Sequence, residues 1–179
     1  MYYSTTYRSP VGMIKLACND GKLVGLWTEG QKYYGGTMPE AMVENDDMPI
    51  FGMAKEWLDR YFAGERPEVA ELPLAPIGGE FRQRVWGILR GIPYGEVITY
   101  GDIARKTAAI MNRGSMSSQA VGGAVGHNPI SIIIPCHRVV GSDGSLTGFA
   151  GGVRMKAWLL ELEGADMSRL FVPSKGTAL

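Results

Sequence analysis

The sequence predicts an α+β protein. A small N-terminal α/β domain spans residues 1–75, a C-terminal domain with a helix-turn-helix spans 76–165, and a tail covers 166–179. Three observations predict this. A period-two hairpin pattern opens the chain, and helical spacing dominates its second half. Between them, "RPEVAELPLAPIGGE" carries three prolines and two glycines and reads as a linker. At 179 residues and 45% hydrophobic composition, the chain has room for one large core or two small ones.

Taken in order, "GMIKLACNDGKLVGLWTE" reads as two strands around Asn19-Asp20-Gly21, residue types that reach positive φ at low cost. Residues 30–49, rich in Gly, Pro and acidic side chains, read as loop. In "PIFGMAKEWLDRYFAGE" the residues Phe51, Ala54, Trp57, Leu58, Tyr61 and Phe62 fall at helical spacing, and Gly64 stops the helix. Past the linker, "GEFRQRVWGILRGIPYGE" is a helix with Phe81, Val85, Trp86, Ile88 and Leu89 on its apolar side, ended by Gly91 and Pro93. "TYGDIARKTA" is a short helix with Ile103 and Ala104 inward. In "SMSSQAVGGAVGHNP" serines can cap a start, and Asn128-Pro129 ends the run. Two short helices joined by a turn indicate the helix-turn-helix. A strand "SIIIP", a turn "GSDGS", the stretch "TGFAGG" and a last helix "VRMKAWLLELEG" complete the reading.

Composition narrows the function. No apolar run approaches the roughly 18–20 residues of a membrane span, and the N-terminus lacks a basic segment followed by a long apolar one. Cys18 and Cys136 lie far apart, which gives no disulfide framework, and two cysteines with two histidines at unrelated spacing make no structural zinc site. A reducing cytoplasm and a monomer are expected. The formal net charge is zero, yet residues 1–79 hold seven Lys/Arg against eleven Asp/Glu while residues 80–163 hold nine against six. An anionic partner would therefore dock on the second half.

The chemistry concentrates in "SIIIPCHRVVG", Ser131 to Gly141. A lone cysteine is most often a small buried hydrophobe. Here Pro135 ends the strand and leaves Cys136 at its exit. His137 supplies a possible base, and Arg138 a positive charge that lowers a thiol pKa. Neighbouring side chains in extended chain point to opposite faces, so a direct contact between Cys136 and His137 requires a turn or a bridging water. A thiol of pKa about 8.5 is only a few per cent ionised at neutral pH, so a nucleophilic Cys136 needs a relay. A carboxylate behind the imidazole is the usual completion, and Glu161 and Glu163 are both available.

These residues carry a resemblance. "IPCHRVVG" resembles the active-site motif of the O6-alkylguanine-DNA alkyltransferases, also called methylated-DNA–protein-cysteine methyltransferases. The agreement continues through "FRQRVWGILRGIPYGEVITYGDIA", "QAVGGAVGHNP" and "KAWLLELEG", roughly Phe81 to Gly164. The resemblance implies a ribonuclease H-like N-terminal domain beside a winged-helix-like alkyltransferase domain. It implies a partner, double-stranded DNA containing O6-alkylguanine, with O4-alkylthymine a second candidate, and no cofactor or metal. The base is flipped out on the minor-groove side and its alkyl group passes irreversibly to the protein's own cysteine, once per molecule.

By the same resemblance that cysteine is Cys136, with His137 its base through a water, Glu163 orienting His137, and Asn128 holding the turn. Tyr100 hydrogen-bonds the flipped base and helps protonate the leaving guanine. Val139 and Ala150 read the guanine edge through backbone groups, Phe149 forms a wall, and Arg138 joins the DNA-binding set. In "SSQAVGGAVG" the small residues, Ala120 and Gly123 among them, suit close approach to a minor groove. The helix has almost none of the Arg, Asn and Gln vocabulary that reads major-groove edges.

The chain departs from the family at two places. Gln119 stands where the family has an arginine that fills the space of the flipped base, and glutamine lacks that planar cation. The connection "KTAAIMNRGSMSS" is lengthened and contains Arg113, a candidate phosphate contact or substitute finger; a solvated loop is the plainer reading. A non-catalytic lesion-binding module and a cysteine hydrolase are the competing functions. The retained Cys136 opposes the first, and the adjacency of Cys136 and His137 opposes the second.

Overall fold

Three strands form before residue 30, and what they bury explains which of them the sequence announces. The computed structural model describes residues 1–174. Strand β2 (Gly12–Asn19) and strand β3 (Lys22–Thr28) make the expected hairpin, with Asp20 at φ 49° and Gly21 at φ 73° in its turn. Ahead of them lies β1 (Tyr2–Ser9), antiparallel to β2 from Tyr3↔Cys18 to Ser9↔Gly12. Its buried residues are Ser4 and Thr5, so it has no apolar alternation to read. Hydrogen bonding compensates one of these hydroxyls: Thr5 bonds Asp46 and accepts from Lys55.

A short β4 (Met42–Glu44) runs parallel to β1, inside the stretch expected to be loop, and closes the sheet order β3-β2-β1-β4. Helix α1 (Pro49–Phe62) buries Ile50, Phe51, Ala54, Trp57, Leu58 and Tyr61. The Trp57 indole N–H donates to Glu68 O at 2.9 Å. The expected linker is partly a fixed edge. Leu23 N donates to Pro73 O and Ala75 N to Leu23 O, which ties residues 73–75 to β3.

In the second half, α2 (Glu80–Arg90) precedes β5 (Ile98–Thr99), α3 (Tyr100–Ile110) and α4 (Ser118–Gly126). Helices α2, α3 and α4 pack on one another, and the buried Trp86 indole donates to Ala124 O at 2.9 Å. Thr99 caps α3 by accepting from Asp102 N, and Thr99 N donates in return to the Asp102 carboxylate. Ser117 caps α4. Strand β6 (Val139–Val140) pairs in parallel with β5, and α5 (Val153–Leu162) follows.

The chain divides into two units: Met1–Gly78 with Pro129–Ile133, and Gly79–Asn128 with the chain from Ile134 on. The second domain is therefore interrupted, where an unbroken 76–165 was expected. Residues 129–133 hydrogen-bond to β3 through Leu26 N to Pro129 O and Ser131 N to Leu26 O.

One further expectation needs correcting. "SIIIP" is not a strand; it is a buried run of turns with Ile132 at φ 73°. Burial of its apolar side chains holds a β-branched residue in a region that such residues rarely occupy. The tail is structured in part. Met167–Arg169 form a 3-10 turn, and Phe171 exchanges backbone bonds with the 144–146 segment. The rest of that tail, 175–179, lies outside the described residues.

Gly25 permits the packing of the first core. A Cβ there would stand 2.1 Å from the ring of Trp27, which is 1% exposed. Gly25→Ala is expected to cost about 1–3 kcal/mol by overpacking, measured as a lower urea midpoint with unchanged slope.

Candidate active site

Cys136 lies not at a strand exit but at the start of a 3-10 turn, Cys136–Arg138. That turn is one of the two solutions open to adjacent cysteine and histidine. Asn128, buried at the end of α4, donates from Nδ2 to Ile134 O at 2.8 Å, and Cys136 N donates to the same carbonyl at 2.8 Å. The cysteine backbone is thereby tied to α4. Cys136 is 4% exposed, and neither it nor Cys18 is in a disulfide.

Glu163, just past α5, decides between the two carboxylates left open by the sequence. It is buried and Glu161 is exposed. Its Oε2 lies 2.5 Å from His137 Nε2. Arg138 donates to both of its oxygens, Nε at 2.7 Å and Nη2 at 3.0 Å, while Arg138 Nη1 donates to Ile92 O at 2.6 Å. Gly95 N adds a bond to Oε1 at 3.1 Å. Gly95 has φ 80°, and a Cβ there would come within 2.9 Å of Glu163 O, so a side chain would break this approach.

Burial pushes the Glu163 carboxyl up, but bonds and charges from His137 and Arg138 outweigh it and hold the group well below the usual carboxylate range. His137 is fully buried. Burial pushes its imidazole down, Glu163 pulls it up, and the charges of Arg138 and Lys156 push it down again. The net direction is down. We therefore assign a neutral imidazole whose Nε2–H donates to the Glu163 carboxylate, leaving Nδ1 as an acceptor. Nδ1 is buried and has no hydrogen-bond partner among the described residues.

A second cluster sits around Thr147. Its carbonyl accepts from the Tyr100 hydroxyl at 2.6 Å and from Lys156 Nζ at 2.6 Å. Burial, with the charge of Cys136 second, pushes the Tyr100 hydroxyl well above its ordinary value. A Cβ on Gly148 would lie 2.3 Å from that hydroxyl, so the close pass requires glycine. Phe149, nearly buried, meets His137 edge-on at 6.4 Å between ring centres. Val139 is buried in β6 and Ala150 is half-buried in the following turn.

Comparison with known proteins gives the family. Residues 1–76 match the profile of "6-O-methylguanine DNA methyltransferase, ribonuclease-like domain", and residues 80–165 match that of the DNA binding domain of the same protein. The chain belongs to the 6-O-methylguanine DNA methyltransferase family. A methylated-DNA–protein-cysteine methyltransferase of Methanosarcina acetivorans is 43% identical over 92% of this chain and 99% of its own. One from Haemophilus influenzae is 40% identical over 90% and 86%. A Mycobacterium tuberculosis OGT structure in complex with DNA superposes with TM-score 0.76 at 41% identity, covering 97% of this chain and 95% of its own.

Within this methyltransferase fold, α4 exposes Gln119, Ala120 and Gly123 along one side, and Arg113 is exposed in the connection before it. Arg138 requires a correction. Expected to contact DNA, it is 7% exposed and its planar fork is spent on Glu163 and Ile92 O. The sequence reading also missed Lys156, Thr147 and Gly95. For Lys156 a signal existed: residues 156, 159, 160 and 163 form one helical stripe, and all four are buried.

Glu163 predicts a specific acid response. Its folded value lies below an unfolded value of about 4.3. The stability it contributes is present above that value and is lost as pH falls toward the folded one. Glu163→Gln strands the buried Arg138 and is expected to cost about 3–5 kcal/mol at neutral pH. Urea unfolding at stepped pH should then show a shallower loss below about pH 4 than in the parent.

Proposed function

We propose that this protein repairs DNA by moving an alkyl group from O6 of guanine in double-stranded DNA to Cys136, irreversibly and once per molecule. The observation that carries the reading is the buried linkage Arg138–Glu163–His137 beside Cys136, found in a member of this family. The exposed small-residue side of α4 docks in the minor groove. The damaged base turns out of the stack, at a cost of a few kcal/mol that is least for a mispaired lesion. It is received between Tyr100, Phe149 and the backbone of Val139 and Ala150. Arg113 supports the adjacent phosphates. The protein acts as a monomer in a reducing cytoplasm.

The proton balance follows from the neutral imidazole. His137 Nδ1 takes the thiol proton through a water, and Glu163 stabilises the imidazolium that forms. The sulfur attacks the sp³ carbon. An S–C bond forms, the C–O6 bond breaks, and its electron pair goes to the guanine, which is protonated with the help of the Tyr100 hydroxyl. Thiol and alkylguanine thus become thioether and guanine, with no net proton exchanged and no cofactor consumed.

Incubation with duplex carrying O6-methylguanine, followed by intact-mass measurement, tests this. One CH2 gained on the Cys136 peptide, and none in Cys136→Ser, is the expected result. Unchanged mass with retained binding would instead indicate a lesion-binding module, and a hydrolysed ester or amide a cysteine hydrolase. A parallel duplex carrying O4-methylthymine reads the second substrate. Gln119→Arg restores a stacking cation worth about 0.5–1 kcal/mol. Its single-turnover rate on duplex DNA should rise roughly two- to fivefold, the same energy expressed as a rate.

A further inference from the structure

Lys156 is an unusual lysine. It is 0% exposed, on the buried stripe of α5, the helix that packs against the Cys136–Arg138 turn. Its ammonium donates to Thr147 O at 2.6 Å and stands 5.7 Å from the centre of the Tyr100 ring. Among the described residues it forms no ion pair with a carboxylate. Glu163, the buried carboxylate of the site, is committed to His137 and Arg138. A buried ammonium without an anion is costly to keep, and it survives only where a negative charge is present or forms beside it.

The chemistry around it names that anion. Burial pushes the Lys156 amine down to about 8, and the charge of Cys136 is the effect that pushes it back up. The same lysine charge helps to keep His137 neutral. The other groups facing the pair are Tyr100 from α3, His137 and Arg138 from the 3-10 turn, and Glu163 beyond α5. None of them offers Lys156 a free negative charge: Tyr100 is held protonated, His137 is neutral, Arg138 is a cation and Glu163 is already shared.

We infer that Lys156 is a positioning residue whose ammonium is the counter-charge of the Cys136 thiolate, in place before any lesion enters and paired with the anion once His137 takes the thiol proton. The inference rests on Cys136 being the acceptor of the proposed transfer. It adds a separate cationic contribution to the His137–Glu163 relay, and it has a consequence after reaction. Once the sulfur is a neutral thioether, Lys156 has lost its anion and must give up its proton more readily.

Two measurements without DNA test the pair. The first is the pH profile of Cys136 carboxamidomethylation by iodoacetamide, read by peptide mass in the parent and in Lys156→Met. The variant's midpoint should rise by about one unit, with a roughly tenfold slower reaction at neutral pH. Lys156→Arg, which keeps the charge, should recover part of the rate. An unchanged midpoint in a Lys156→Met protein with native circular dichroism would overturn the inference.

The second uses the wild-type chain and is decisive if the variant does not fold. The Lys156 Cε resonance of ¹³C-lysine protein is titrated before and after iodoacetamide caps Cys136. Its midpoint should fall on capping, and an unmoved midpoint would overturn the inference. Failure of the transfer reading would look different: no mass gain from lesion duplex, with the thiol profile still dependent on Lys156.

Discussion

The site depends on one buried carboxylate. Glu163 accepts from an imidazole and from two nitrogens on one edge of a guanidinium, both in the Cys136–Arg138 turn, and from the backbone amide of Gly95, far off in the chain. Isolated, it would be neutral or excluded from the interior. Clamped by Arg138, it stays charged, and its charge fixes which nitrogen of His137 carries the proton. The tautomer and the acceptor left on Nδ1 follow from that clamp, while Asn128 and Ile134 O seat Cys136. Arg138 therefore works one step behind the chemistry, as the residue that makes Glu163 ionised and immobile.

Beside this charge-balanced trio lies a group that is not balanced. Thr147 O receives both the Tyr100 hydroxyl and the Lys156 ammonium, and a glycine at 148 lets the phenol approach closely. In the transfer proposed above these are two separate tasks: a neutral base takes the thiol proton, and a fixed positive charge balances the anion that forms. The helix-turn-helix needs little side-chain vocabulary for its part, since α4 exposes Gln119, Ala120 and Gly123 in place of groups that read bases.

Legibility followed the kind of physics each element uses. The hairpin at Asp20-Gly21 and helix α1 were readable because turn chemistry and apolar spacing are local. Strand β1 was not, because it buries Ser4 and Thr5 and takes its hydrogen bonds from β2, Asp46 and Lys55. "SIIIP" misled for the opposite reason. Its apolar run is real and buried, but Ile132 at φ 73° folds it into turns that no propensity favours.

By itself the sequence determined the adjacency of Cys136 and His137, the division between two domains, the small-residue helix and the motif set of the methyltransferase family. These are properties of neighbours and of spacing, which the chain carries in any conformation. Only the tertiary structure decided that Glu163 rather than Glu161 meets His137, that Arg138 turns inward, and that Lys156 is buried beside Tyr100. Those outcomes depend on which distant groups share a volume without water, and charge has its largest effects there.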